Sequence, residues 1–165
     1  MVNRLRAKVD STLVERFAEA AAVVGIAVSF AMPIYLWSVL PDSVPSHFAA
    51  DGQADSYSGK GFLFFLPAVG LFFYLALSIL GKYPHVLNYP WKITVLNVYR
   101  QYQLARGFIT SIKAEMIWIF IYIEWVQVGV ALGRNEIIDP MFLPVIIGAI
   151  LGTIAVYFYL AYHSR

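Results

Sequence analysis

Four long apolar segments constrain this chain more than any other feature of its sequence. They run approximately over residues 20–40, 62–81, 108–132 and 141–162. A helix needs roughly 20 apolar residues to cross about 30 Å of hydrocarbon, and each segment meets that length. Because the segments are continuously apolar rather than alternating, we predict helices instead of the strands of a barrel. The expected fold is all-α: a polytopic membrane protein whose residues 1–165 form one four-helix transmembrane bundle.

The composition supports a membrane protein and argues against several function classes. The 165 residues are 60% hydrophobic and 13% charged, whereas soluble domains are about half apolar and about a quarter charged. The lipid bilayer is therefore the first expected partner. A net charge of +2 is too small to argue for nucleic acid. The absence of cysteine excludes disulfides and thiolate metal sites. Since neither a nucleophile elbow nor a glycine-rich phosphate loop occurs, we expect no enzyme and no cofactor.

The distribution of Lys and Arg predicts the orientation of the chain in the membrane. The first connector carries Lys60 alone, and the third carries Arg134 alone. By the positive-inside rule, both termini and the middle connector belong in the cytoplasm, and the loop over residues 40–60 faces outside. The predicted orientation depends on eight basic residues in the stretch before the first span and in the middle connector. They are Arg4, Arg6, Lys8, Arg16, Lys82, Lys92, Arg100 and Arg106.

The stretch before the first span has the pattern of an amphipathic helix. Apolar residues recur at spacings of three and four, with charged residues between them. Such a helix would lie on the inner leaflet before the chain enters the membrane. A helical extension of the first span is an equally good interpretation. The apolar positions are Val2, Leu5, Val9, Leu13 and Phe17.

The middle connector, residues 82–106, is rich in aromatic and basic side chains. A helix is predicted from Thr94 onward, with Thr94 as its N-cap. Arg100 lies on this helix and is a candidate contact for a partner. Aromatic and basic residues together suit an interfacial connector at the headgroups of an anionic leaflet. Docking of a protein partner is the alternative. The aromatic residues are Tyr83, Tyr89, Trp91, Tyr99 and Tyr102.

The third span carries three ionisable residues, which is unusual for a membrane helix. Lys113 lies near the cytoplasmic end, where its long side chain can reach the headgroups. Glu115 and Glu124 lie deeper, and charges at that depth cost about 3 kcal/mol on insertion scales and usually face the protein interior. The functional interpretation is a buried proton or ion site. The alternative is a neutral carboxylic acid that is hydrogen-bonded inside the bundle.

The outer loop contains His47, Asp51 and Asp55 at a regular spacing of four. One imidazole and two carboxylates suit a cation such as zinc or manganese, so these residues are a candidate metal site. A purely structural loop and a surface for partner recognition are the alternatives. Asp42 and Lys60, at the two ends of the loop, are further candidates for contacts with a partner. The loop is expected to be ordered because its prolines restrict the backbone.

Two segments have residue patterns typical of a known family. The first segment has Leu40-Pro41-Asp42, Pro45-Ser46-His47-Phe48, Gly52, Asp55 and Lys60. The second has Asn88-Tyr89-Pro90, Ile93-Thr94, Asn97, Arg100-Gln101-Tyr102 and Leu104-Ala105-Arg106. They resemble the bacterial and archaeal membrane domain found at the N-terminus of SdpI-type immunity proteins. The resemblance implies the plasma membrane of a prokaryote. Immunity members of this family are thought to protect the producing cell from a secreted peptide toxin and to hold a transcriptional repressor at the membrane.

These observations lead to one functional expectation and two alternatives. The expectation is a non-enzymatic membrane protein similar to the immunity and sensing group, which recognises through its outer loop and docks through its basic connector. The first alternative is a small accessory subunit of a larger membrane-protein complex. The second is a carrier that handles a metal ion or protons.

Overall fold

Within residues 5–134 and 137–165, which the computed structural model describes, four helices are long and apolar enough to cross a membrane. The predicted all-α four-helix membrane bundle is therefore confirmed, as is its multi-pass character. The helices are α1 (Leu13–Leu36), α2 (Phe65–Gly81) with a 3-10 turn before it (Lys60–Phe64), α3 (Val98–Ala131) and α4 (Phe142–His163).

The N-terminal segment, residues 5–12, is not helical, so the expected amphipathic helix is wrong over these residues. Val2 and Arg4, which also entered the sequence analysis, lie outside the described residues. Helix α1 begins at Leu13, where the Thr12 hydroxyl accepts a hydrogen bond from the Glu15 amide at 3.1 Å. This N-cap satisfies a backbone donor that the first helical turn would leave unpaired. The alternative, a helical extension of the first span, is correct from Leu13 onward.

Helix α3 joins the predicted connector helix and the third span into one helix of 34 residues. At 1.5 Å per residue it is about 50 Å long, which exceeds the roughly 30 Å of a hydrocarbon core. The helix begins at Val98, so the predicted N-cap at Thr94 is wrong. Instead, the side-chain oxygen of Asn97 accepts a hydrogen bond from the Thr94 amide at 2.8 Å. A short 3-10 turn over Pro84–Val86 precedes this region.

The loop after α1 forms a two-stranded antiparallel hairpin, which agrees with the prediction of an ordered segment. Its strands are β1 (Ser43–Phe48) and β2 (Ala54–Gly59). The pairing is irregular in two places, between Pro45 and His47 and between His47 and Phe48. Such bulges bend a strand and turn side chains in new directions.

Helix α3 is central, because it contacts α1, α2, α4 and β1. Gly25 of α1 permits a close approach of α1 to α3, since a Cβ atom there would lie 2.6 Å from Cγ2 of Ile117.

The bundle has two ends: the hairpin end, with residues 43–59, and the connector end, with residues 5–12 and 82–97. Apolar clusters fill the middle (Ala22, Ala114, Ile117, Ile121), the hairpin end (Leu40, Val44, Leu63, Val128) and the connector end (Val9, Val98, Tyr102).

Candidate functional site

The base of the hairpin is fixed to the bundle by one buried face of β1. Val44 is fully buried beside Leu63 and Val128. The side-chain amide of Gln127 on α3 donates a hydrogen bond to the Pro45 carbonyl at 3.1 Å, and Gln127 is only 3% exposed. Apolar packing and a buried amide contact therefore hold β1 on α3. Gln127 was not among the predicted site residues, although an amide side chain in a membrane helix indicates a hydrogen-bond partner inside the bundle.

The tip of the hairpin contacts the segment that follows α3. The Gly52 carbonyl accepts a hydrogen bond from the Ile138 amide at 3.0 Å, and Gly52 has a φ of +81°. A Cβ atom at Gly52 would lie 2.3 Å from the Ile138 carbonyl oxygen. Asp51 belongs to the turn itself, because its carboxylate accepts from the Gln53 amide at 3.0 Å. The position therefore requires glycine both for its backbone angle and for its close contact.

His47 and Asp55 form an exposed pair on the hairpin. Nδ1 of His47 lies 2.6 Å from Oδ1 of Asp55, and the two side chains are 67% and 46% exposed. Across the described ranges, 5–134 and 137–165, no group of three His, Cys, Asp or Glu side chains is arranged to hold a metal ion. The structure thus brings together two of the three predicted metal ligands and leaves Asp51 in the turn. The pair presents imidazole and carboxylate groups to an approaching partner.

Asp42 and Lys60 lie opposite each other where the hairpin begins and ends. The Lys60 ammonium is 3.4 Å from the Asp42 carboxylate and 4.9 Å from the centre of the Trp37 ring. The backbone joins the same two residues, since the Lys60 amide donates to the Asp42 carbonyl at 3.0 Å. Asp42 is fully exposed, and exposed ion pairs contribute little to stability. These charges are therefore accessible to a partner.

Lys113 does not extend to the headgroups as predicted, because it is 1% exposed inside the bundle. Its ammonium lies 2.6 Å from the Glu19 carboxylate of α1 and 2.8 Å from the Ser78 hydroxyl of α2. The Tyr74 hydroxyl donates to the other oxygen of Glu19 at 2.7 Å. We call these four residues the ion-pair layer. It joins α1, α2 and α3 through charge-assisted hydrogen bonds.

Glu124 faces the interior of the bundle, as predicted, and its side chain is fully buried. The Ser29 hydroxyl of α1 donates to its Oε2 atom at 2.7 Å. Among the described residues, Oε1 of Glu124 has no hydrogen-bond partner and no basic side chain pairs with the carboxyl group. Glu124 is therefore a fully buried carboxyl group with a single hydroxyl partner among the described residues.

Glu115 lies apart from Lys113 and Glu124. The Thr153 hydroxyl of α4 donates a hydrogen bond to its Oε1 atom. The contact couples the third and fourth spans. The structure therefore does not assemble Lys113, Glu115 and Glu124 into one site.

At the connector end, side chains of α3 hold the N-terminal segment through its backbone. The Tyr102 hydroxyl donates to the Leu5 carbonyl at 2.7 Å, and Arg106 donates to the Val9 carbonyl at 2.7 Å. Arg106 also pairs with Glu15 at 2.6 Å. Tyr102 is 2% exposed, so its side chain contacts the protein rather than lipid headgroups. Its ring instead packs beneath the N-terminal segment.

Other connector residues remain accessible at this end. Arg100 is exposed and donates to the Gln103 side chain at 2.8 Å, which leaves its guanidinium open to solvent. Trp91 contacts the end of α4, with ring centres 6.4 Å from Phe158 and 5.9 Å from Tyr162. The connector is therefore partly packed on the bundle and partly available for other contacts.

Comparison with known proteins gives a limited match around the hairpin. The family model described as a domain of unknown function, DUF1648, matches residues 24–71, which include the whole hairpin and parts of α1 and α2. An uncharacterised protein of Archaeoglobus fulgidus is 30% identical over 76 residues, which cover 41% of this chain and 42% of the relative. The match thus spans less than half of that protein. No solved structure gives a significant match. Residues 24–71 are therefore similar to a domain of unknown function.

Proposed function

We propose that this chain is a non-enzymatic membrane protein of the immunity and sensing type, similar to the SdpI-type group. The hairpin is its recognition surface and the basic connector is its docking surface. In this proposal the chain lies in the plasma membrane of a prokaryote with both termini in the cytoplasm, so the hairpin faces outside. The observation that carries the proposal is the exposed His47–Asp55 pair on a hairpin that the bundle holds in place.

A secreted peptide is a suitable ligand for such a hairpin. A two-stranded sheet has a free edge on each strand, and most residues of β2 are exposed. An extended peptide can bind along a strand edge through backbone hydrogen bonds, while pockets and polar side chains select its sequence. The His47–Asp55 pair would supply that selection. Because β1 and the hairpin tip are already fixed, binding would order few additional residues and lose less entropy.

The pair can be tested directly by substitution. We expect His47→Ala and Asp55→Ala each to abolish a protective or signalling phenotype in cells exposed to the cognate peptide. Gln53→Ala is the matched control, because Gln53 is an exposed hairpin residue outside the pair. Membrane insertion is measured in parallel and should be unchanged. A full phenotype in both pair variants would contradict the proposed recognition surface.

Glu124 favours a second candidate, a carrier for protons or a metal ion. A fully buried carboxyl group with one hydroxyl partner is typical of proton relays in membrane proteins. The test is proton or manganese uptake into liposomes that contain the purified protein. A carrier requires uptake by the wild type that Glu124→Gln abolishes, whereas equal fluxes in protein-containing and empty liposomes would exclude this candidate.

The exposed surface of α4 favours a third candidate, an accessory subunit of a larger complex. None of the residues in the most apolar stretch of α4 is buried, so another membrane helix could pack there. Isolation in mild detergent followed by mass spectrometry tests this candidate. A stoichiometric membrane-protein partner would favour it, whereas a chain that purifies without one would favour the recognition protein.

A further inference from the structure

A cavity of about 880 Å³ opens between α1 and α2 at the connector end, beneath the N-terminal segment. Its lining includes basic residues from four separate parts of the chain: the N-terminal segment, α1, the end of α2, and α3. This convergence is unusual in a chain with only 12 Lys and Arg residues. The five basic residues are Lys8, Arg16, Lys82, Arg106 and Lys113.

Three of these five cations are not neutralised by the protein. Glu15 and Glu19 also line the cavity, but they pair at 2.6 Å with Arg106 and Lys113, respectively. Within residues 5–134 and 137–165, the other three (Lys8, Arg16 and Lys82) have no carboxylate at ion-pair distance. The cavity therefore carries an excess of positive charge, which favours an anionic ligand.

Most of the remaining lining is apolar and extends along the membrane-spanning helices, with three hydroxyl side chains among it (Ser11, Ser78 and Thr110). Val23 and Val24 of α1 are 50% and 53% exposed, and Leu77 of α2 lies across from them. Val23 is seven residues beyond Arg16, or about 10 Å further along α1. The basic part thus lies at the end of the bundle and the apolar part lies at the depth of lipid chains. A small soluble anion would gain nothing from the apolar part, whereas an amphiphile would contact both.

We propose that this cavity binds an anionic phospholipid. The phosphate lies among Lys8, Arg16 and Lys82, and one acyl chain follows Val23 and Val24 between α1 and α2. The ion pairs of Glu15 and Glu19 keep the two acidic groups of the cavity from repelling the phosphate. The proposal does not depend on the function of the hairpin, and it applies whichever leaflet contains the connector end.

The test is native mass spectrometry of the purified protein in detergent with equal amounts of phosphatidylglycerol and phosphatidylcholine. We expect the wild type to retain one phosphatidylglycerol in preference to phosphatidylcholine. The double variant Lys8→Gln/Lys82→Gln should lose affinity for phosphatidylglycerol by about tenfold, since each basic residue near a lipid phosphate contributes to binding. Arg6→Gln/Lys92→Gln is the matched control, because it removes one charge from the same two segments outside the cavity. This control should retain the lipid.

Three outcomes would overturn the proposal. The first is equal retention of the two lipids by the wild type. The second is the same loss of phosphatidylglycerol in the control and in the cavity variant. The third is displacement of the lipid by millimolar inorganic phosphate, which would identify a site for free phosphate instead. Thermal unfolding of both variants without lipid distinguishes a binding defect from misfolding, and a fall in melting temperature limited to the cavity variant would also count against the proposal.

Discussion

The two ends of the bundle are held together by different kinds of contact. At the hairpin end, Val44 is buried among apolar neighbours and the Gly52 backbone fits closely against Ile138. At the connector end, Arg106 and Lys113 bind carboxylates, and Arg106 also binds a backbone carbonyl. These contacts depend on shape at the hairpin end and on charge at the connector end. A hairpin fixed by shape can keep its charged residues exposed, as a recognition surface requires.

The prediction with the largest expected effect concerns the orientation of the two ends, for which reporter activity is all-or-none. A reporter fused after Arg165 or inserted near Tyr89 should be active only in the cytoplasm, and one inserted near Ala54 should be active only outside. The reason is the concentration of Lys and Arg at the connector end. Alkaline phosphatase and green fluorescent protein fusions give the two readouts. Cytoplasmic activity of the Ala54 fusion would reverse the predicted orientation of the two ends and place the recognition surface inside the cell.

The next largest effect, a loss of thermal stability, is expected from Glu19→Gln at the connector end. The substitution leaves the ammonium of Lys113, whose side chain is 2% exposed, without its counter-charge. Removing one partner of a fully buried ion pair costs about 3–5 kcal/mol. Because the Glu19 side chain is 39% exposed, we expect a loss no greater than the lower end of that range, about 3 kcal/mol. The melting temperature in detergent should fall accordingly, as followed by tryptophan fluorescence.

A double variant provides the control for Glu19→Gln. Glu19→Leu/Lys113→Met removes both charges, and apolar replacement of a buried pair is often neutral. We expect its melting temperature to be much closer to that of the wild type. If the single and double variants are equally destabilised, the ion pair does not explain the stability of this end.

The sequence identified the spans because their signal is long and continuous, but it did not identify the contacts between them. The predicted first span began at residue 20, so Glu19 was left outside it and Lys113 had no visible partner. The start of α1 could have been predicted from the sequence, since Thr12 and Glu15 have the spacing of a capping box. The apolar periodicity of the preceding residues obscured it, and tertiary hydrogen bonds to the Leu5 and Val9 carbonyls hold that non-helical segment on α3.

The hairpin was predicted as an ordered loop but not as two strands. Its sequence lacks the alternation of apolar and polar residues that indicates a strand, and two irregularities interrupt the pairing. The regular spacing of His47, Asp51 and Asp55 made them a candidate metal site, yet the strands bring only the first and last together. Pairing across strands depends on register, which spacing along the chain does not reveal.

Gly52→Ala tests the role of shape at the hairpin end and should have an intermediate effect. Its Cβ atom would lie 2.3 Å from the Ile138 carbonyl oxygen, at a φ of +81°. We expect a loss of about 2 kcal/mol, of which about 1 kcal/mol is the cost of placing alanine at a positive φ and the rest comes from the close contact with Ile138. Gly133→Ala is the matched control, because Gly133 has a φ of +75° but open space around its Cβ position. Equal melting temperatures for the two variants would show that the close contact adds nothing.

The smallest effect on stability is expected from Glu124→Gln. The substitution is the same as at Glu19, but no basic side chain among the described residues pairs with Glu124. A glutamine occupies nearly the same volume, and its side-chain oxygen can still accept the hydrogen bond that Ser29 donates. The free energy of unfolding should therefore change by less than about 1 kcal/mol, the net value of an ordinary hydrogen bond. Thermal unfolding of Glu19→Gln and Glu124→Gln under identical conditions gives the measurement. A loss at Glu124 as large as that at Glu19 would mean that a cation pairs with this carboxylate, and it would favour the carrier over the recognition protein.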